Sequence, residues 1–235
     1  MGKRSYGEAC GIPRALDRIG ERWALMVVRE LLLGPKRFTD LRAGLPHMSP
    51  DVLAQRLREL EENGIVERRI LPPPAASKVY ELTEWGRELE SVLIALGRWG
   101  ARAPLAAECS EMSLDSHIVS LQTLFDPGLA GDFAPAVELR LGDEVFSLRI
   151  ADGRLEAERG AAAAKPDIVI ATDPCTLIAL AHRELDLPDA IESGRARVTG
   201  DKRAARRFLR LFPLPEPAVA CGGAAGSVAP TGAAS

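Results

Sequence analysis

The order of expected elements between Ile12 and Leu82 constrains the fold of this chain most, because paired helices are followed directly by a two-stranded ribbon. The segment from Met48 to Gly64 carries both the start and the stop of a helix. Ser49 can cap its first free N–H groups, Pro50 has the φ that a first helical turn needs, and Asn63 with Gly64 ends it. This order predicts a winged helix-turn-helix unit, which is an arrangement that fits a DNA reader.

Three short helices are expected before this segment. Apolar residues recur at helical spacing between Cys10 and Gly20. The next helix, from Trp23 to Leu33, is apolar almost all round and is broken only by Arg29 and Glu30. A third helix starts in the segment 37–42 and stops near residue 44. These helices would build the core on which the DNA-reading helix rests.

The helix that follows Ser49 has one apolar and one polar face. Leu53, Leu57 and Leu60 recur at i, i+4 and i+7 and form the inward stripe. The opposite face carries Asp51, Gln55, Arg58 and Glu62, with Ala54 at its margin. Gln55 suits adenine, and Arg58 suits guanine or a phosphate. Simple solvation of an exposed helix face is the alternative, and the flanking helix and ribbon favour DNA contact.

The ribbon consists of residues 65–70, a turn at 72–77 that is rich in proline and alanine, and residues 78–82. Arg68, Arg69 and Lys78 are expected to cluster near its tip, where a wing can lie along phosphates or a minor groove. Solvation alone is again the alternative. The predicted DNA-contacting residues are Arg37, Thr39, Ser49, Asp51, Ala54, Gln55, Arg58, Arg68, Arg69 and Lys78.

One more helix, capped by Thr83, is expected to mediate dimerisation. Its apolar residues keep nearly heptad spacing; they are Trp85, Leu89, Val92, Leu93, Leu96 and Trp99. Such a stripe needs a partner, and a second subunit is favoured over packing within the domain. A two-fold dimer would present two recognition helices about 34 Å apart, and it predicts a double-stranded DNA operator that is pseudo-palindromic.

The length, charge distribution and cysteine content of the chain limit the class of protein. The 235 residues suit two domains, and no apolar run reaches the length of a membrane span, so we expect a cytoplasmic protein without membrane insertion. Residues 1–108 hold 17 Lys+Arg against 15 Asp+Glu, while residues 109–235 hold 13 against 18. DNA binding therefore depends on local clustering of cations. The four cysteines lack Cys-x-x-Cys spacing, so neither a zinc site nor a disulfide framework is indicated. No cofactor is expected.

The second half has a different pattern, beginning after a boundary at residues 101–113. A helix at 114–125 precedes three alternating runs, at 137–141, 146–150 and 155–157, with hairpin turns between them. A more continuously apolar strand at 166–172 leads into helices, and a short strand at 196–199 precedes a last helix that ends in 208–212. The expected fold is therefore α+β, with helices covering one side of a mainly antiparallel sheet.

The first half resembles the HxlR-type winged helix regulators. The motifs that carry this resemblance are Cys10-Gly11-Ile12-Pro13, Gly20-Glu21-Arg22-Trp23, residues 29–34, Arg37-Phe38-Thr39-Asp40-Leu41, residues 49–64 and residues 80–86. They cover residues 8–102, which we take as the DNA-binding and dimerisation domain. The resemblance implies dimeric, sequence-specific bacterial transcription factors. Cys10 stands where similar regulators keep a cysteine that senses oxidants or electrophiles, so it is a candidate redox site, with inert packing as the alternative.

The second half, residues 112–213, resembles the sterol carrier protein fold in the order of its elements. That resemblance implies an apolar cavity for a lipid-like ligand. The candidate lining residues are Leu121, Leu124, Phe125, Phe146, Leu148, Leu177, Leu187, Ile191, Phe208 and Phe212, with ordinary core packing as the alternative. Residues 214–235 are rich in alanine, glycine, proline and serine and are expected to be a flexible tail.

Together these features predict a transcriptional regulator, a repressor rather than an activator, that is controlled by a hydrophobic small molecule in its second domain. The alternatives are a redox-sensing or electrophile-sensing regulator that acts through Cys10 and a protein that only binds lipid. An enzyme is not expected, because His47, His117 and His182 are isolated and no carboxylates or cysteines stand at catalytic spacings.

Overall fold

The computed structural model describes residues 5–72, 76–103 and 112–218. Their buried apolar side chains form two clusters, one in each half of the chain. Leu33, just after the second helix, belongs to the cluster of the C-terminal half. The two halves are therefore packed against each other through apolar contact. Within these residues no helix has the length and apolar character needed to cross a bilayer.

The N-terminal half has the element order of a winged helix-turn-helix. Its elements are α1 (Gly11–Ile19), α2 (Ala24–Leu31), α3 (Phe38–Gly44), α4 (Pro50–Glu62), β1 (Val66–Ile70), β2 (Lys78–Leu82), α5 (Glu84–Arg87) and α6 (Leu89–Gly100). The expected start of α4 is confirmed, because Ser49 Oγ accepts a hydrogen bond from the Val52 N–H at 3.3 Å. Leu53, Leu57 and Leu60 are buried as the spacing predicts, since they form the stripe that faces α2.

The expected dimerisation helix is divided in two. Thr83 caps α5 by accepting from the Gly86 N–H at 3.0 Å, as predicted, but α5 is only four residues long and α6 begins after Glu88. Gly86 lies against the carbonyl of Ile65, where a side chain would clash. The interruption of the predicted helix is limited to Glu88, which keeps helical φ and ψ values of −59° and −22°.

The strand register of the wing separates cations that the sequence predicted to lie in one cluster. Arg68 is opposite Tyr80, Arg69 is opposite Val79, and Ile70 is opposite Lys78. Because successive side chains of a strand point to opposite faces, Arg68 and Lys78 share one face and Arg69 lies on the other. The three cations thus do not form a single cluster. The tip of the turn, residues 73–75, lies outside the described residues.

The C-terminal half is an α+β domain built on a five-stranded sheet. Its elements are α7 (Leu114–Leu124), α8 (Pro127–Ala130), β3 (Val137–Leu141), β4 (Glu144–Ala151), β5 (Arg154–Arg159), β6 (Ile168–Thr172), α9 (Pro174–Ala181), α10 (Leu187–Glu192), β7 (Ala196–Gly200) and α11 (Lys202–Leu209). The strand order is β5-β4-β3-β6-β7. The antiparallel meander β3-β4-β5 is as predicted, while β3 and β6 pair in parallel, which the sequence did not indicate.

Hairpin geometry fixes the meander. Asp152 and Gly153, between β4 and β5, have φ values of 49° and 70°. Two successive positive φ values are what a type I′ turn needs, and this turn matches the twist of the flanking strands. The buried side chains of β3 and β4, including Leu139 and Phe146, belong to one apolar core with residues of β5, β6 and β7 and of the helices that cover the sheet, among them α7, α9, α10 and α11.

The chain after the last helix returns to the N-terminal half. Arg102 Nε donates to the Glu216 carbonyl at 3.1 Å, and the Ala218 N–H donates to the Arg102 carbonyl at 2.9 Å. Residues 216–218, which belong to the expected flexible tail, therefore contact the N-terminal half through Arg102. Residues 219–235 of that tail lie outside the described residues, as does the part of the expected domain boundary at residues 104–111.

Candidate DNA-binding surface and its link to the C-terminal domain

The outer face of α4 presents a group of exposed polar side chains. Asp51, Gln55 and Arg58 are exposed, whereas Ala54 is half-buried at the margin, as its position on the helix predicts. Arg58 Nη2 donates to Gln55 Oε1 at 2.6 Å, and Gln55 Nε2 donates to Glu59 Oε1 at 2.7 Å. The two candidate base-reading side chains are therefore held side by side along one helix face.

Positive charge near this face comes from α3 and the wing. Arg37 and Thr39, at the start of α3, are exposed. Arg68 forms an ion pair with Glu61 at 2.7 Å, and its guanidinium lies 5.4 Å from the centre of the Tyr80 ring. On the other face of the ribbon, Arg69 lies 3.3 Å from a carboxylate oxygen of Glu81. These pairs must reorganise if the guanidinium groups are to contact phosphates, at a cost of about 0 to 1 kcal/mol each.

The apolar stripe of α5 and α6 is only partly covered by its own domain. Leu89 and Leu93 pack against the N-terminal core. The other four side chains of the predicted dimer surface remain exposed: Trp85, Val92, Leu96 and Trp99, the last at 74%. Ile12 and Leu16 of α1 are exposed as well. Large apolar side chains exposed together mark a surface that is normally covered by a partner.

A buried charge cluster joins the two halves, and the sequence did not predict it. Glu30 is fully buried on α2, and its carboxylate accepts hydrogen bonds from Ser113 Oγ at 2.8 Å and Ser116 Oγ at 3.0 Å, both at the start of α7. Lys36 Nζ lies 2.8 Å from Glu30 Oε2 and 2.6 Å from Asp115 Oδ2. The side chain of Asp115 is also fully buried. One ammonium therefore bridges a carboxylate of each half.

Other cations complete this cluster. Arg29 pairs with Glu30 at 3.0 Å, and Arg159 of β5 pairs with both Asp115 and Glu144. Burial alone raises the pKa of Glu30, but the Lys36 ammonium, the Ser113 hydroxyl and the Arg29 guanidinium together outweigh it and hold the pKa below its ordinary value. Glu30 is therefore ionised at neutral pH, and the cluster is made of charged groups.

Lys36 also contacts the wing through its backbone. Its N–H donates to the Tyr80 carbonyl at 2.9 Å, and the Tyr80 N–H donates to the Lys36 carbonyl at 2.8 Å. Tyr80 is opposite Arg68 in the ribbon. Lys36 thus connects three parts of the molecule, which are α2, the start of α7 and the wing strand β2.

A second set of contacts joins α6 to α7. Arg98 donates from Nε to the Thr123 carbonyl at 2.8 Å and from Nη2 to the Phe125 carbonyl at 3.0 Å, at the end of α7. Gly97 permits this approach, because a Cβ there would lie 2.8 Å from Thr123 Cγ2. α7 is consequently held along its length, by α2 at its start and by α6 at its end.

The ten candidate ligand-lining residues all lie in the described part of the chain, and they do not line a common cavity there. Phe125 lines a cleft between α6 and the C-terminal domain, while Leu187 and Ile191 line a surface groove beside α11. The other seven pack in or against the C-terminal core: Leu121, Leu124, Phe146, Leu148, Leu177, Phe208 and Phe212. Among the described residues, no group of three or more His, Cys, Asp or Glu is arranged to hold a metal ion.

Cys10 is exposed and occupies the N-cap position of α1. Cys175 is also exposed, whereas Cys109 and Cys221 lie outside the described residues. The thiol of Cys10 is therefore accessible to small molecules.

Comparison with known proteins agrees with this division of the chain. Residues 18–106 match the family described as HxlR-like helix-turn-helix, and residues 106–220 match the one described as alkyl sulfatase C-terminal. The chain is 40% identical over 85 residues to the HTH-type transcriptional regulator YodB of Bacillus subtilis (strain 168), which covers 36% of this chain and 76% of YodB. It is also 37% identical over 86 residues to the uncharacterized HTH-type transcriptional regulator YvaP of the same organism. That match covers 37% of this chain and 80% of YvaP.

The reduced form of YodB from B. subtilis is a solved structure that is 36% identical to this chain. The match covers 40% of this chain and 94% of the YodB chain, with a TM-score of 0.37.

The recognition helix, the wing and the relatives named as regulators define a DNA-binding transcriptional regulator. Within that class, the chain belongs to the HxlR-like helix-turn-helix family.

Proposed function

We propose that this regulator is a homodimeric repressor of a pseudo-palindromic operator and that a hydrophobic small molecule held by the C-terminal domain controls it. The observation that carries the proposal is the position of Lys36, which pairs with Asp115 of the C-terminal domain and forms two backbone hydrogen bonds with Tyr80 of the wing. A displacement of α7 is thereby transmitted to the DNA-binding surface.

In this proposal each exposed residue of the surface has a distinct role. Gln55 and Arg58 read base edges in the major groove, assisted by Asp51 and Ala54 on the same helix. Phosphates are bound by side chains at the starts of α3 and α4 and on the wing, where counterion release supplies affinity. These phosphate-binding residues are Arg37, Thr39, Ser49, Arg68, Arg69 and Lys78.

The exposed side chains Trp85, Val92, Leu96 and Trp99 form the core of the proposed dimer interface, and the half-buried Leu89 and Leu93 support them from the N-terminal core. A two-fold axis near α6 would give each half-site one recognition helix. Repression is favoured over activation because a dimer over a promoter blocks polymerase without further contacts.

The effector module is proposed to be a sterol-carrier-like domain. The support is the element order, a meander followed by β6, two helices and a final strand and helix, together with the match of residues 106–220 to the alkyl sulfatase C-terminal family. The resemblance to sterol carrier proteins implies an apolar ligand. Such a ligand can release the operator only if it binds more tightly to the conformation that fits DNA poorly.

The test is to extract the purified protein with organic solvent, identify any released molecule by mass spectrometry, and add it back in operator-binding assays on the DNA upstream of the protein's own gene. A hydrophobic molecule that weakens operator binding supports the proposal. A released molecule that leaves operator affinity unchanged would reduce the second domain to a lipid-binding module without regulatory effect.

A second candidate function is redox or electrophile control through Cys10, favoured by the exposure of its thiol at the N-cap of α1. The similar regulator YodB has been solved in quinone-bound and diamide-treated forms as well as reduced. Diamide should then abolish operator binding, thiols should restore it, and Cys10→Ser should remove the response. Cys175→Ser is the matched control, because that thiol is exposed in the other domain.

A further inference from the structure

A groove of about 420 Å³ lies on the surface of the C-terminal domain, between α10 and α11. Its volume falls within the range of small-molecule sites, which is about 300 to 1,000 Å³. The residues that line it come from both helices: Leu187, Pro188, Ile191, Glu192, Lys202, Arg203 and Arg206. All of them except Leu187 and Ile191 are exposed, so the groove is open to ligands from solution.

The surface that lines this groove is mostly hydrocarbon. Leu187 is 5% exposed and belongs to the core of the domain, and the half-buried Ile191 packs against the same core. Lysine and arginine cover apolar surface with their aliphatic stems and keep their charged ends in water. The groove therefore offers an apolar bed with cationic groups beside it.

The positive charge beside the groove comes from α11. This helix and its C-cap carry five exposed cations, although residues 109–235 hold more acidic than basic side chains: Lys202, Arg203, Arg206, Arg207 and Arg210. Arg206 pairs with Asp186 at 3.5 Å. Lys202 and Arg203 lie one turn earlier, and among the described residues neither has a carboxylate within ion-pair distance. Glu192 is the one carboxylate of the lining, so cations outnumber it three to one.

We propose that this groove binds a single-chain anionic amphiphile, a molecule with a carboxylate, sulfate or phosphate head group and an apolar body. The body lies against Leu187, Pro188 and Ile191, and the head group is bound by Lys202 and Arg203. Hydrogen bonds between ionised partners are stronger than neutral ones, so a negative head group is favoured over a hydroxyl.

The occupant is a dissolved molecule and not a lipid surface. A helix that lies on a bilayer inserts its apolar side chains among the lipids. Here Leu187 and Ile191 are recessed while the cations of α11 are exposed, which suits a chain that enters the groove. The binding site rests on the groove itself, whereas its role as the effector site rests on the proposed control of this regulator.

The site is tested on the full-length protein with three probes that share one alkyl chain, which are octanoate, 1-octanol and octyltrimethylammonium. Calorimetry measures affinity, and the methyl signals of Ile191 in two-dimensional NMR report the place of binding. We expect octanoate to shift those signals and to bind at least tenfold more tightly than the cationic probe. Equal affinity for the two charged probes, or unmoved Ile191 signals, would overturn the site.

Matched variants test which cations bind the head group. Arg203→Gln and Lys202→Gln should each weaken octanoate binding about fivefold, the effect of one exposed charge, and should leave 1-octanol unaffected. Arg210→Gln is the control, because Arg210 is exposed at the end of the same helix and does not line the groove. A loss in Arg210→Gln as large as in Arg203→Gln would reduce the effect to the general charge of the helix and contradict the proposal.

Vesicles of phosphatidylglycerol test the lipid surface as the other occupant. Sedimentation of the protein with these vesicles that is lost in Arg203→Gln, together with no response to octanoate, would assign the groove to a membrane and refute the proposed ligand.

Operator affinity, measured on the same samples, tests effector control separately. Octanoate binding at Ile191 with constant operator affinity keeps the site and refutes control through it. A change in operator affinity that requires Lys202 and Arg203 supports both.

Discussion

Lys36 Nζ lies 2.6 Å from Asp115 Oδ2, so an ammonium of the DNA-binding domain is paired with a buried carboxylate of the C-terminal domain. The same nitrogen lies 2.8 Å from Glu30 Oε2, and neither carboxylate side chain is exposed. Two buried carboxylates that share one ammonium repel each other once it is removed. This single side chain therefore neutralises carboxylates from both domains where α2 meets the start of α7.

The first prediction is that Lys36→Met destabilises the protein. Methionine keeps most of the aliphatic stem, so the change removes mainly the charge, and loss of one partner from a buried ion pair costs about 3 kcal/mol. Urea unfolding at pH 7 measures this effect. Arg149→Met is the control, because Arg149 and Glu156 form an exposed pair that contributes about 0 to 1 kcal/mol. Equal losses in the two variants would show that the cluster does not hold the domains together.

The second prediction concerns base recognition by α4. Gln55→Ala and Arg58→Ala should each weaken operator binding by about 1 to 3 kcal/mol and relax base preference at the positions they contact. Their mutual hydrogen bond means that the double variant should lose less than the sum of the two single losses. Binding to operators with single base changes measures this. Unchanged preference in both variants would show that the groove-facing side of α4 is a different one.

The third prediction concerns the wing. Arg68→Ala and Lys78→Ala, on one face of the ribbon, should weaken all DNA sequences alike and lower the slope of log K against log salt by about 0.9 for each phosphate that is no longer neutralised. Arg69→Ala tests the other face, where Glu81 already pairs with the guanidinium. Titrations at several salt concentrations distinguish the two faces. If Arg69→Ala lowers the slope and the other two variants do not, the ribbon lies on DNA with its opposite face.

Much of this architecture follows from local sequence. The start of α4 at Ser49, the turn at Asp152-Gly153 and the cap of the last helix at Asp201 are set by residues adjacent to the element they control. The alternation of apolar and polar residues in β3 and β4 likewise predicts which face of the sheet is buried. Such features are predictable because capping and turn geometry depend on a few neighbouring residues.

Features that depend on long-range contact were not predictable. Glu30 stood out in the sequence only as a charge within an apolar helix, and its partners Ser113 and Ser116 are more than 80 positions away along the chain. The parallel pairing of β3 with β6 needs a crossover whose register no local pattern specifies. The cleft between α6 and the C-terminal domain exists only because α6 and the hairpin at residues 153–156 approach each other.

The fourth prediction is that stability falls as pH drops below about 6.5. Burial lowers the pKa of both His117 and His182 beneath the ordinary value of 6.5, and Arg29 adds to the effect at His117. The unfolded chain then binds more protons than the folded protein between 6.5 and the folded pKa values. Full stability is present above 6.5 and is lost through that window, with a slope of at most about 1.4 kcal/mol per pH unit for each histidine.

Urea unfolding at intervals between pH 8 and pH 5 measures this slope. His117→Asn and His182→Asn should each flatten part of it, and the double variant should flatten most of it. A slope that is the same in the double variant as in wild type would assign the pH dependence to other groups.

The last prediction concerns the subunit interface. Leu96 is 46% exposed on α6 between Val92 and Trp99, so a carboxylate there would be buried without a partner if two copies of α6 meet. Leu96→Glu should therefore convert a dimer into a monomer, which sedimentation or light scattering measures directly. A monomer engages only one half-site, so operator affinity should fall steeply while binding to a single half-site is retained. Leu129→Glu is the control, because Leu129 is 48% exposed on the C-terminal domain and is not part of the apolar stripe of α5 and α6. A dimer that persists in Leu96→Glu would place the interface elsewhere on the molecule.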